Sequence, residues 1–87
     1  MSIDWKTKKR PPSLETRVEF EDYDSMRDFL DEIAEVTEKM DHHPNISFGR
    51  TYVSIVIYPK AGDAIEETDH ALAQSISECY EQLQNQA

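Results

Sequence analysis

Apolar residues recur along this chain at two spacings, and the change of spacing marks the elements. Leu14-Glu15-Thr16-Arg17-Val18-Glu19-Phe20-Glu21 alternates. Leu14, Val18 and Phe20 point one way with Thr16 between them, and charges point the other, as in a half-buried strand. Asp22-Tyr23-Asp24-Ser25 turns the chain. Asp24 or Ser25 is placed to accept from the first free amides of a helix, and Asp28 falls in its first turn, where carboxylates are favoured. Met26, Phe29, Leu30, Ile33, Val36 and Met40 follow at three- and four-residue steps, which predicts an amphipathic helix over 25–41. Asp31, Glu32, Glu35, Glu38 and Lys39 occupy its wetter side. Pro44 disfavours the helical conformation at His43, so the helix is expected to end at the pair His42-His43.

Asn45–Gly49 reads as a short connection or an edge strand. Arg50 to Tyr58 is rich in β-branched and aromatic residues and gives the strongest strand signal in the chain. Val53, Ile55 and Ile57 face one side, while Tyr52, Val56 and Tyr58 face the other, so both faces want cover. Pro59-Lys60-Ala61-Gly62-Asp63 is a loop. Leu72, Ala73, Ile76, Cys79, Tyr80 and Leu83 form the stripe of a second helix over 66–84, with Glu66, Glu67 and Asp69 loading its first turn. Residues 1–13 end in Arg10-Pro11-Pro12-Ser13, and two prolines oppose a regular ladder or helix. An extended basic arm over 1–13 is therefore expected before a domain over 14–87, with Trp5 folding back onto the body or a neighbouring subunit. The order strand–helix–strand–strand–helix predicts an α+β fold, a small antiparallel sheet with two helices packed on one face. The other face or an edge is left for another subunit.

Length and charge sharpen this picture. Eighty-seven residues make one small domain, and a single cysteine excludes an intrachain disulfide framework, so oligomerisation is expected. The lone cysteine fits a reducing compartment. No signal-peptide pattern and no apolar run near ~20 residues is present, so the expectation is a soluble, cytoplasmic protein without a membrane segment. Residues 1–17 hold five basic and two acidic side chains, for +3, while residues 18–87 hold four basic and sixteen acidic, for −12. An acidic body argues against nucleic-acid binding. The run Lys6–Arg10 is either a contact for an acidic partner or a solvated tail.

The chain has two glycines, Gly49 and Gly62, which excludes a Gly-rich phosphate loop, and its one cysteine and adjacent histidines lack zinc-ligand spacing. Cys79 lies on an apolar stripe and reads as core, and His70 reads as a surface residue. His42 and His43 stand out, held beside a helix end at a position suited to proton transfer near neutral pH. They are either a polar helix terminus or a general acid/base pair in a pocket between the first helix and the strands.

These residues carry a resemblance. Trp5, Leu14, Val18-Glu19-Phe20, Asp22-Tyr23, Phe29-Leu30, Ala34, Asp41-His42-His43-Pro44, Val53-Ser54-Ile55-Val56-Ile57, Asp69 and Ala71-Leu72-Ala73 together resemble the pterin-4a-carbinolamine dehydratase family, from about Trp5 into the second helix. The resemblance implies dehydration of 4a-hydroxytetrahydropterins with no metal or redox cofactor. It also implies His42 and His43 as proton-handling groups, Asp69 as a supporting carboxylate, and a dimer or tetramer built through sheet edges and helices. The family's third histidine follows the long strand in a Thr-His pair, where this chain has Pro59 and Lys60. Its usual aromatic residue before the strand is here Arg50, and its N-terminal helix has no counterpart in this sequence. An ammonium normally stays protonated at neutral pH, so Lys60 is a poor stand-in for a neutral imidazole. Loss of one such group typically costs ~10²–10⁴ in rate. Arg50 and Lys60 are instead candidates for a new anion-binding or substrate-binding site in the inherited pocket.

A divergent branch of the family accompanies α-carboxysome genes and is associated with Rubisco assembly, without dehydratase activity. The chain is similar to that branch in its short start, its Arg10-Pro11-Pro12 arm and Ser47-Phe48-Gly49-Arg50-Thr51-Tyr52-Val53. Retention of His42-His43-Pro44 speaks for the dehydratase. The resemblance thus implies a non-enzymatic Rubisco assembly factor or chaperone associated with the carboxysome, with dehydratase in tetrahydropterin recycling as the alternative. A scaffold or dimerisation cofactor for another protein is the third class.

Overall fold

The computed structural model describes residues 3–85. Its elements are β1 (Lys6–Lys9), β2 (Pro12–Glu19), α1 (Tyr23–Met40), β3 (Asn45–Phe48), β4 (Tyr52–Ile57) and α2 (Glu67–Gln84). The strands form one antiparallel sheet in the order β1-β2-β4-β3. Leu14 pairs with Ile57, Thr16 with Ile55 and Val18 with Val53. The alternating residues of β2 and β4 therefore share one face, and both helices pack there, as the α+β reading requires.

The core is built where the two periodicities meet. Leu14, Val18, Phe20, Val53, Ile55 and Ile57 from the sheet bury against Met26, Phe29 and Ile33 of α1 and Leu72, Ala73, Ile76 and Cys79 of α2. Burying each large member stabilises by roughly 1.5–3 kcal/mol. The ring of Phe20 lies 5.2 Å from that of Phe29, and Tyr80 meets both edge-on at 5.7 and 5.9 Å. The buried line of α1 runs Met26, Phe29, Ile33, Thr37, whereas Leu30, Val36 and Met40 stay half-buried at its flanks. Thr37 is tolerated inside because its hydroxyl donates to the carbonyl of Ala34 at 3.1 Å.

α1 begins two residues earlier than its apolar stripe predicts. The cap is Asp22, not Asp24 or Ser25: in an extended backbone conformation its Oδ1 accepts from the Ser25 amide at 2.7 Å. The helix also ends before the histidines. Asp41 takes the left-handed conformation (φ 51°), its amide donates to Glu38 O at 3.4 Å, and the amide of His42 donates to Thr37 O at 3.2 Å. This pair of bonds is a Schellman ending, so the stop comes from Asp41, three residues ahead of Pro44.

The expected extended arm is also corrected. Lys6–Lys9 is an edge strand, with Lys6 opposite Glu15, Thr7 opposite Leu14, Lys8 opposite Ser13 and Lys9 opposite Pro12. The prolines do not interrupt the ladder because Pro11 lies in the turn, after a cis Arg10–Pro11 bond, and Pro12 is the first residue of β2. Trp5 folds back onto the body as expected: its indole N–H donates to the hydroxyl of Ser77 on α2 at 2.8 Å, and Ile3 and Trp5 pack against the core.

Candidate functional site

The end of α1, the start of α2 and the loop after β4 converge at one end of the sheet. The Schellman turn folds the chain over the end of α1 and carries the His42 imidazole inward, where it is 8% exposed. Asp69 enters from the first turn of α2 and is 1% exposed. Its Oδ2 accepts from the Glu66 amide at 2.8 Å, which is half of a capping box, and its Oδ1 accepts from the Lys60 amide at 3.0 Å. The carboxylate thus ties the β4–α2 loop to the helix start.

Nε2 of His42 lies 3.2 Å from the carbonyl of Tyr58 and 3.5 Å from Oδ1 of Asp69. A carbonyl oxygen can only accept, so Nε2 carries a proton in this arrangement. In the neutral ring the lone pair then lies on Nδ1. Asp69 is the longer contact and acts on a charged imidazole, while Tyr58 O fixes the tautomer of a neutral one.

The five sequence-derived site residues fare differently. His42 and Asp69 come together. His43, the next residue, is exposed and has no described partner. Lys60 reaches the site in two ways: its amide anchors Asp69, and its exposed ammonium donates to Met40 O, one of the last carbonyls of α1, at 3.4 Å. Arg50 does not reach it. It sits in the β3–β4 turn, and the six residues of β4 separate that turn from Lys60, ~20 Å at the usual rise of a strand. Arg50 and Lys60 therefore form no two-cation site within one chain; the hairpin sends them to opposite ends of the sheet. His70 is exposed in the first turn of α2. Two participants were invisible in the sequence, the Tyr58 carbonyl and the Lys60 amide, because main-chain groups leave no side-chain signal. The Glu66-x-x-Asp69 spacing was the available clue to the cap. Among the described residues no three His, Cys, Asp or Glu side chains gather as a metal ion needs. No helix of the described residues is long and apolar enough to cross a membrane.

A short antiparallel sheet with two helices on one face, and a carboxylate-supported histidine just past the first helix, define a pterin dehydratase-like protein. The chain belongs to the pterin 4 alpha carbinolamine dehydratase family, whose model matches residues 2–79. It is 32% identical over 69 residues to a protein of Acidobacterium capsulatum assigned by name to the pterin-4-alpha-carbinolamine dehydratases; the match covers 79% of this chain and 75% of that one. Among solved structures, it is similar to a pterin dehydratase-like protein described as a RuBisCO assembly factor in the alpha-carboxysome, at 33% identity and a TM-score of 0.77, covering 92% of this chain and 90% of that one. A transcriptional coactivator/pterin dehydratase from Brucella melitensis shares the fold with a TM-score of 0.80 at 20% identity, covering 87% and 81%.

Proposed function

We propose that this chain is a pterin dehydratase-like protein that serves Rubisco assembly as a non-enzymatic factor or chaperone, in the cytoplasm and in association with the carboxysome. The observation that carries the reading is Lys60. The resemblance puts the family's third histidine at the Pro59-Lys60 step, and here an ammonium stands there, bonded to the end of α1. An ammonium has three donors and no lone pair, so it cannot take a proton from a substrate as an imidazole does. The 33% identical relative described as a RuBisCO assembly factor supports the same direction. Exposed Ile46 and Phe48 on the edge strand β3 support a homo-oligomer, a dimer or tetramer, as the acting form.

A second reading, 4a-hydroxytetrahydropterin dehydratase, is favoured by the buried His42 and Asp69 contact. Two measurements separate them. Co-expression with Rubisco large and small subunits should raise the yield of soluble holoenzyme, and an unchanged yield counts against assembly. Turnover of 4a-hydroxytetrahydropterin within ~10-fold of an active dehydratase would overturn the first reading, because one missing acid/base group costs more than that.

A further inference from the structure

Lys6, Lys8, Lys9 and Arg10 are exposed in a protein whose net charge is −9. Among the described residues the ion pairs are Arg17 with Glu19 at 3.8 Å and His42 with Asp69 at 3.5 Å, so none of these four cations is held in an ion pair; of the three on β1 only Lys6 has a carboxylate, Glu15, opposite it in the ladder. Three of them lie on β1, which is an edge: it pairs with β2 alone, and all four of its residues are exposed. The far side of such a strand offers main-chain N–H and C=O groups to an incoming chain.

The register sets what that chain must carry. Lys6 and Lys8 share the outer sheet face with Glu15 and Ser13, while Thr7 and Lys9 lie on the helix side. Beside Lys6 and Lys8 the outer face holds a cavity of about 490 Å³ over β1, β2 and β4, lined by Arg17 as a third cation, by the carboxylates of Asp4 and Glu15, and by Ser54 and Val56. A strand added on the free side of β1 at the usual ~4.8 Å spacing would set alternate side chains next to Lys6 and Lys8, with the cavity on the other side of those lysines.

We propose that the β1 edge is a docking strand for an acidic, extended segment of a partner protein, which adds as a fifth strand. Opposite charges directly across a ladder attract and like charges repel, so the lysines select acidic strands. They also exclude a second copy of β1, whose Lys-Thr-Lys-Lys would set lysine against lysine. A nucleic acid supplies negative charge but no strand to extend the sheet, and it meets the −12 carried by residues 18–87. The surface is defined by its own chemistry and stands whether or not the partner is Rubisco.

The test uses the full chain, isotope-labelled, titrated with an eight-residue peptide of alternating glutamate and valine. Amide shift changes concentrated at Lys6–Lys9 are expected. Binding should weaken at least ~10-fold in a Lys6→Glu/Lys8→Glu variant, and at least ~10-fold when alternate peptide amides are N-methylated, which removes strand hydrogen bonds and keeps the charge. Both lysines are exposed, so the variant should keep the fold, which circular dichroism checks; the N-methylated peptide tests the same point on the unaltered protein. No shifts at millimolar peptide, shifts centred elsewhere, or equal binding of the methylated peptide would overturn the proposal. Equal or tighter binding to duplex DNA or to phosphatidylserine vesicles would overturn it as well.

Discussion

Replacing Asp69 by asparagine changes one atom and should cost a large part of the fold's stability. The carboxylate accepts two main-chain bonds, from Glu66 at 2.8 Å and Lys60 at 3.0 Å, at a site 1% exposed. An asparagine keeps one acceptor and turns an amide N–H₂ toward the other buried N–H, donor against donor. Hydrogen bonds to a charged group contribute ~1.5–3 kcal/mol each, and a neutral one about half as much. One bond is lost and the survivor weakened, so the change should destabilise by ~2–4 kcal/mol. A domain of this length has ~4–13 kcal/mol in total, at the usual stability per residue. Trp5 is the chain's one tryptophan and is bonded to Ser77 on α2, so its fluorescence reports the docking of that helix. Urea unfolding followed by Trp5 and by far-ultraviolet circular dichroism should show coincident transitions, both shifted to lower denaturant in Asp69→Asn. Asp63→Asn, in the exposed loop, should stay within ~0.5 kcal/mol of the parent. Should Asp69→Asn fall within ~1 kcal/mol of the parent, the carboxylate is not the tie between loop and helix.

Three further outcomes follow from the same structure. Burial pushes the Cys79 thiol up from its ordinary range, and Glu32, Glu78 and Glu35 add to the effect. At pH 8, native Cys79 should therefore react with a disulfide reagent at least ~10-fold more slowly than the urea-unfolded chain, and equal rates would contradict its place in the core. The Ser25 amide and then its hydroxyl hold the Asp22 carboxyl below the usual carboxylate range. The folded value lies below the unfolded one, so the contribution of this cap is present above the unfolded pKa, about 4, and is lost as pH falls through the folded value. The stability difference between the parent and Asp22→Ala should be full at pH 7 and shrink below about pH 4; a constant difference down to pH 2 would refute the charged cap. A Cβ at Gly49 would collide with the ring of Tyr52, whose Cδ1 would lie at 2.8 Å, and Arg17 is stacked on that ring at 4.0 Å. Gly49→Ala should destabilise by ~1–3 kcal/mol, and most of that should disappear in a Tyr52→Ala background, measured as unfolding midpoints.

The elements were legible wherever periodicity was strong. Both helices and the two central strands follow directly from the spacing of Leu14 to Phe20, Met26 to Ile33, Val53 to Ile57 and Leu72 to Leu83. Legibility failed where a short-range feature decided the outcome. Lys6–Lys9 carries no alternation, because both faces of an exposed edge strand are polar, and the neighbouring prolines spoke against a ladder without saying that they would fall in its turn and at its first residue. Asp41 ended α1 by adopting a left-handed conformation more usual for glycine or asparagine, so Pro44 was too late a marker. His42 and His43 look equivalent in sequence, yet one is buried and the other exposed, since residues leaving a Schellman turn diverge. Arg50 and Lys60 appeared as a flanking pair only because the sequence does not display how far a hairpin separates its turn from its open end.

The way Asp69 is held shows that the dehydratase-like centre does not depend on the side chain at residue 60 for its own structure. The bond from residue 60 to Asp69 comes from the main chain, so it is indifferent to which side chain residue 60 carries. An imidazole or an ammonium can stand there with the same α2 cap and the same His42 tautomer, as long as the loop keeps its path. The ammonium contributes a bond to the end of α1, where a cation meets the negative end of the helix dipole, so replacing a histidine there need not cost stability. The His42–Asp69 contact that favours the dehydratase reading is also held by partners within the fold, so turnover has to be measured directly. On the assembly reading, activity is limited by the side chain at residue 60, and the decisive comparison is Lys60→His. It should leave the unfolding free energy within ~1 kcal/mol of the parent and raise turnover of 4a-hydroxytetrahydropterin if the third imidazole is all that the centre lacks. Unchanged turnover in a stable, folded variant would mean that the cleft has been lost beyond that one side chain.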